Sequence, residues 1–375
     1  MFHPFHVEQF LSELENGVKY NYSESGVHPM TLKELVELTG MDPDALWATM
    51  LDYPQVNGFT LMRERIAALY EGATSDNVLV TAGATEANTL VANTLLEPGD
   101  SMVAFRPIYE QLTGDVKNRG IDVKYVDMDP LNDWKIDAQA VSDTVDATTK
   151  VIHVINPNNP TGRVLSIEER RGIIAAAAKV GAWIVSDEVY AGTERDTDET
   201  TKSMWGDYDR VVVLNSMSKA YGLPGLRLGW LVAPKAEVRA CWRRHEYASV
   251  AASMLSMKLA EAALEERARK ALVERARRLI RTGFETLTEA LQVHPGVFSV
   301  SPPHASAMSF IRFKLPVDSE TLALKLHREQ DVLVIPGSRF DVENHFRFSS
   351  ALPDAHLREG LRRMNLVVGE MLETV

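Results

Sequence analysis

The segment Asn215-Ser216-Met217-Ser218-Lys219-Ala220-Tyr221-Gly222-Leu223-Pro224-Gly225-Leu226-Arg227-Leu228-Gly229-Trp230 decides how the chain is read. It follows an apolar run at 211–214. Taken alone, Lys219 would be a solvated surface lysine. Here two hydroxyl residues stand just before it, and a Gly/Pro-rich turn then presents Arg227. A lysine held beside a basic, phosphate-binding pocket can have its pKa lowered and become a nucleophile toward carbonyl carbon.

The rest of the middle of the chain has the same style. Short apolar or β-rich runs at 77–81, 101–105, 123–126, 151–155, 183–186, 211–215 and 229–232 alternate with helical patterns such as 85–96 and 166–179. Runs of four or five apolar residues between helices mean strands buried on both faces, hence a mostly parallel α/β sheet. In such sheets ligands bind beyond the carboxyl ends of the strands. Three further segments fall there. Thr81-Ala82-Gly83-Ala84-Thr85 enters a helix N-terminus, which is either a plain tight turn or a phosphate site. It lacks the spacing of a dinucleotide fingerprint. Asn156-Pro157-Asn158-Asn159-Pro160-Thr161-Gly162 is rigid and rich in amide donors. In Ser186-Asp187-Glu188-Val189-Tyr190, a carboxylate at the end of a buried strand needs a cation. Either a structural Arg or Lys supplies it, or a ligand does.

From about residue 239 the character changes. Residues 247–291 read as one long, charge-laced helical region with Glu/Arg pairs at i,i+4 spacing. Short strands at 297–300, 309–313 and 332–335 follow, with helices at 319–329 and from about 353. This is an α+β pattern. The expected division is 1–45 as an N-terminal arm joining the smaller domain, 46–245 as a large domain, and 246–375 as a small one.

With 375 residues, 45% hydrophobic and 25% charged, the chain has ordinary globular composition. Its net charge of −12 argues against nucleic-acid and anionic-membrane surfaces. The lone cysteine, Cys241, excludes an intrachain disulfide and a cysteine metal cluster, fits a reducing cytoplasm, and no metal is expected. The first residues show no signal-peptide pattern, and the stretch at 173–185 is too short and too interrupted to span a bilayer.

The order and spacing of these segments resemble the fold-type-I, pyridoxal-phosphate-dependent aminotransferase family of classes I and II. The resemblance runs from about residue 20 to the C-terminus. Within the family the chain is most similar to capreomycidine synthase and related cyclising enzymes, through Ser23-Glu24-Ser25-Gly26-Val27-His28 and Thr31-Leu32-Lys33-Glu34-Leu35. The resemblance implies the aspartate aminotransferase-like fold, pyridoxal 5'-phosphate as cofactor, and a homodimer with shared active sites.

By the same resemblance, Lys219 matches the lysine that binds the cofactor covalently. Asp187 matches the partner of its ring nitrogen, which keeps the ring an electron sink. Tyr190 and Asn159 match donors to its phenolic oxygen. Gly83, Ala84, Thr85, Ser216 and Arg227 match the phosphate cup, with Ser218 beside them, and Tyr109 matches the aromatic stacked on the ring. Arg347 matches the arginine that clamps the substrate α-carboxylate. Gly26 matches the segment that covers it, and Tyr53 matches a tyrosine reaching a neighbouring subunit's phosphate.

His28 either touches substrate or orients its segment. Glu24 either reads a cationic side chain or is a solvated loop residue. His304 and Ser306 are further candidates for reaching the pocket. The Arg-rich stretch 267–281 is expected to be a solvated face, and His3 and His6 a loose arm. The expected reaction is β- or γ-elimination from an L-amino acid, followed by replacement or cyclisation. Ordinary transamination and a non-catalytic binding protein of the same fold are the alternatives.

Overall fold

The protein is described by a computed structural model covering residues 2–373. Its centre is a seven-stranded sheet. The strand order is Val78–Thr81, Gly229–Val232, Val211–Ser216, Trp183–Asp187, Thr149–Ile155, Ser101–Arg106 and Asp122–Asp127. Gly229–Val232 pairs antiparallel with both of its neighbours, and every other pairing is parallel. Val78–Thr81, Val211–Ser216 and Gly229–Val232 are buried at every position, as apolar runs covered by helices on both faces must be. The seven strands predicted from sequence are all present, each within two residues of its predicted ends.

The register sets the site. Asp187 pairs with Ile155 on one side and Leu214 on the other, so three strands end together. Gly229 stands between Thr81 and Ser216 in adjacent ladders. A Cβ on Gly229 would lie 2.6 Å from the Ala84 nitrogen and 2.9 Å from the Asn215 carbonyl oxygen. Only glycine permits this approach of the strand to the N-terminus of helix Ala84–Leu95.

A second sheet is antiparallel, ordered Ile335–Pro336, His345–Ser349, Met308–Phe313, Phe298–Val300. Helices Glu266–Leu291, Ser319–Gln330 and Asp354–Glu373 accompany it. Tyr20–Asn21 pairs parallel with Val332–Leu333, and the Ser349 amide donates to the Tyr22 carbonyl at 2.9 Å. The chain is thereby led, through residues 23–26, across the carboxyl ends of the large sheet.

Several expectations need correction. The long helical region is three helices, Lys235–Ala248, Met254–Ala263 and Glu266–Leu291. Val250 has a positive φ of 66°, and the side chains of Ser253 and Glu265 cap the next two helices. The predicted strand at 332–335 is two short strands in different sheets. The arm carrying His3 and His6 is not loose. Helix His6–Leu14 buries Val7, Phe10 and Leu11, and Glu110 accepts from the His6 amide. The Arg-rich face is not wholly solvated either, since Arg277 is buried and pairs with Glu194 at 2.5 Å.

Candidate active site

A cavity of about 490 Å³ opens where the large sheet, the second sheet and the N-terminal helix meet. Ala84, Thr85, Tyr109, Asn159, Asp187, Tyr190, Ser216, Ser218, Lys219, Arg227 and Arg347 all line it. These residues come from widely separated parts of the chain. The parallel strands deliver Asp187 and Ser216 at their ends, and the turn after Ser216 delivers Lys219.

Lys219 Nζ donates to Ser25 Oγ at 2.8 Å. Enclosure in the cavity lowers its pKa, with the positive charges of Arg347 and Arg227 adding to the effect and Glu24 and Glu8 opposing it. Asp187 is 7% exposed, and one of its oxygens accepts from the Val189 amide at 3.2 Å. Burial pushes its carboxyl up to about 6; that amide, Asn88 and Lys219 hold it down only in part. Among the described residues Asp187 forms no ion pair, so the structural-partner alternative is not the one realised.

Arg347 is 2% exposed. Its Nη1 donates to Asn159 Oδ1 at 2.9 Å and its Nη2 to the Ser23 carbonyl at 2.6 Å, while its Nε has no partner. Asn159 Nδ2 in turn donates to the Tyr190 hydroxyl at 3.1 Å. Behind Ala84, Gly83 caps helix Ala84–Leu95 with φ of +85°, and a Cβ there would lie 3.0 Å from Arg227 Nη2. Backbone amides at a helix N-terminus, Ser216 and Arg227 together make an anion cradle.

Four predicted residues do not line the cavity. Gly83 lies behind Ala84 against Arg227. Gly26 packs on the lysine: a Cβ there would be 3.2 Å from the Ser218 carbonyl and 3.6 Å from Lys219 Cδ. His28 is held through its backbone, its amide donating to Ala351 O at 2.9 Å and its carbonyl accepting from Arg275 at 2.8 Å. Tyr53 is 90% exposed and points to no group of this chain's cavity. His304 and Ser306 are also elsewhere, His304 accepting from the Val164 amide and Ser306 bonded to Thr193 and Met308.

Sequence reasoning missed Asn88, Ser25, Glu8 and Glu15, all of which line the cavity. Asn88 lies one helical turn beyond Thr85, a spacing that could have marked it. The others depend on the N-terminus folding back: Tyr109 donates to Glu8 at 2.5 Å.

The donor set fits pyridoxal phosphate. The cradle suits a phosphate dianion, and buried Asp187 lacks the cation that a protonated ring nitrogen supplies. Lys219 stands between them with a lowered pKa.

Comparison with known proteins agrees. The chain matches the family model for aminotransferase class I and II over residues 41–364. Capreomycidine synthase from Streptomyces vinaceus is 27% identical over 368 residues, covering 97% of this chain and 93% of that protein. A PLP-dependent aminotransferase structure from Streptococcus suis superposes with a TM-score of 0.93 at 30% identity, covering 99% of both chains. The PLP-dependent cyclase OrfR superposes with a TM-score of 0.89 at 28% identity, covering 98% of this chain and 97% of its own. The cavity, its lysine and its anion cradle thus stand in an enzyme of the aminotransferase class I and II family, with pyridoxal 5'-phosphate as cofactor and the mostly parallel α/β fold of that family.

Proposed function

We propose that this enzyme removes a leaving group from Cβ or Cγ of an L-amino acid and then closes a ring or accepts a replacement nucleophile. The observation that supports it is the likeness to capreomycidine synthase over 97% of the chain. That likeness takes in most of the first 40 residues, which the family match at 41–364 does not reach.

Bound pyridoxal phosphate supplies an electron sink for negative charge developing at Cα. The chain's own residues do the rest. The cradle of Ala84, Thr85, Ser216 and Arg227 would hold the phosphate end, and the Asp187 carboxylate would pair with the ring nitrogen. Arg347 has an unpartnered Nε and a fixed guanidinium, so it orients the α-carboxylate. Lys219 is the attachment point. Its amine, when free, would be the base that takes and holds the Cα proton. Tyr190 and Asn159, already hydrogen-bonded to each other, would donate to the phenolic oxygen of the ring. Residues 23–26 pass over Lys219 and keep water from a reactive product of elimination.

Two copies share their sites in this reading. Tyr53 is exposed in a stretch that also exposes Trp47, Met50 and Leu51, an apolar face suited to a partner copy. No helix of the described residues is long and apolar enough to cross a membrane, and the lone cysteine is buried. We place the enzyme in the cytoplasm.

Ordinary transamination is the second reading, favoured by the 30% identity to the Streptococcus suis aminotransferase structure. Turnover without any 2-oxo acid separates the two. Elimination continues through many cycles on amino acid alone. Transamination stops after one half-reaction with the cofactor in its amine form and resumes when a 2-oxo acid is added, and that outcome would overturn the first reading.

A further inference from the structure

The extended lead into helix His6–Leu14 lies across helix Gln111–Asn118. The His3 amide donates to Asn118 Oδ1 at 2.6 Å, and Asn118 Nδ2 donates back to the His3 carbonyl at 3.0 Å. The His3 ring then runs along that helix over Gly114, where a Cβ would lie 3.4 Å from His3 Cδ2, and reaches Glu110 at the helix N-cap. His6, the first residue of its own helix, brings a second imidazole. The two rings meet edge to face with centroids 5.3 Å apart. One ring nitrogen from each histidine and a Glu110 carboxylate oxygen all lie within 4.8 Å of one another.

The backbone turns the carboxylate toward the imidazoles. The His6 amide donates to Glu110 Oε1, which leaves Oε2 facing His3 Nε2 at 3.4 Å. A direct charged pair would close to about 2.7–2.9 Å. The observed 3.4 Å is instead the edge of a tetrahedron whose ligands stand about 2.1 Å from one shared ion. The His3 and Glu110 side chains are 29% and 15% exposed, so water can reach the site and fill an open position on an ion there. None of the three residues lines the cavity, and none has a part in the proposed reaction. Two imidazoles with one carboxylate suit zinc and its neighbours among the transition metals, whereas magnesium and calcium prefer oxygen alone. The expectation of no metal rested on the lone cysteine, and this donor set needs no cysteine.

We propose that His3, His6 and Glu110 bind one divalent transition-metal ion, zinc by the chemistry of the donors, and that the ion fastens the N-terminal arm to helix Gln111–Asn118. The consequence reaches the cavity. Phe5 stands between the two histidines in sequence, and its ring packs on Tyr109 with centroids 4.9 Å apart. Glu8 accepts from the Tyr109 hydroxyl. Phe5, Glu8 and Tyr109 all line the cavity. An ion held by Glu110, next to Tyr109, therefore keeps this wall in place, and a loosened arm opens it. The site does not depend on the reaction proposed for the cavity.

The test uses the cofactor-loaded enzyme, dialysed against a chelator and then into chelator-free buffer. Calorimetric titration with zinc chloride should show one ion bound per chain with a Kd in the low micromolar range or tighter. Millimolar magnesium or calcium should not compete. His3→Gln, His6→Gln and Glu110→Gln should each weaken binding ten-fold or more. Glutamine at position 110 keeps an oxygen for the His6 amide, and circular dichroism with cofactor absorbance checks that each variant is folded. Zinc should also slow amide hydrogen exchange in residues 6–14 of the wild type but not of the variants. No zinc binding, or binding that the variants leave unchanged, overturns the site. Displacement of zinc by millimolar magnesium or calcium overturns the choice of metal class. Zinc bound at these residues without slower exchange in the helix overturns the fastening.

Discussion

Lys219 Nζ lies 2.8 Å from Ser25 Oγ, a contact between residues 194 positions apart in the chain. It ties the lysine proposed to hold the cofactor, in the turn after strand Val211–Ser216, to the segment that crosses over it. Ser25 also hydrogen-bonds Tyr190 and helps to hold that phenol's pKa down. Ser25 is a positioning residue, because it accepts from the lysine and so favours its charged form. Ser25→Ala should lower kcat about ten-fold and move the basic group's pKa in the kcat profile downward. A lower rate with an unshifted profile would mean the hydroxyl only fills space.

Lys219 is expected to carry the cofactor. Borohydride reduction of the loaded enzyme, followed by peptide mass mapping, should place the adduct on the peptide that contains it. An adduct on any other lysine would reassign the site.

The strands of the large sheet were legible because most are short apolar runs closed by a polar residue, as Ile184-Val185-Ser186-Asp187 shows. Lys219 and Asp187 could be read because they follow such runs. The strand His345–Ser349 was not legible as a strand. It is buried throughout yet contains His345 and Arg347, so charge hides the pattern. The carboxylates at the cavity mouth were hidden for a different reason. Glu8 meets Tyr109 only because helix His6–Leu14 packs back over the sheet, a tertiary fact with no local signature. Glu24, open to two readings in the sequence, lines the same cavity.

Arg347 holds Asn159 and the Ser23 carbonyl with its two Nη atoms. Lysine carries the charge but not the planar fork. Arg347→Lys should raise KM for the amino acid by about a hundred-fold and lower kcat as well, because Tyr190 loses its fixed neighbour Asn159. The measurement is steady-state kinetics against amino-acid concentration. An unchanged KM would remove Arg347 from the carboxylate site.

Gly229→Ala tests the anion cradle without touching a charged group. The added methyl would sit 2.6 Å from the Ala84 nitrogen and from the Gly83 carbonyl carbon. Backbone cannot move aside as a flexible side chain can, so the cost is of order 1–3 kcal/mol. Tm should fall by several degrees, and the Kd for pyridoxal phosphate should rise by ten-fold or more as the helix N-terminus is displaced. A variant with wild-type cofactor affinity would mean the cradle does not depend on that approach.

Asp187→Asn gives two readouts with opposite signs. The amide is nearly isosteric but carries no charge, so the loaded enzyme should keep its fold and lose activity by a hundred-fold or more. The cofactor-free protein should behave in the other direction. Burial raises the Asp187 carboxyl from an unfolded value of 3.8 to about 6. A raised carboxyl binds its proton more tightly when folded, so its destabilising effect is absent below pH 3.8, grows between pH 3.8 and 6, and is complete above about 6. Its size is on the order of 3 kcal/mol. Cofactor-free Asp187→Asn should therefore unfold at a higher temperature than cofactor-free wild type at pH 8, with the gap narrowing as pH falls through 6 toward 5. Thermal unfolding of the two proteins across that range is the measurement. A gap independent of pH would mean that Asp187 is not held as an unmatched carboxylate. Wild-type turnover by the loaded variant would end its assignment to the ring nitrogen.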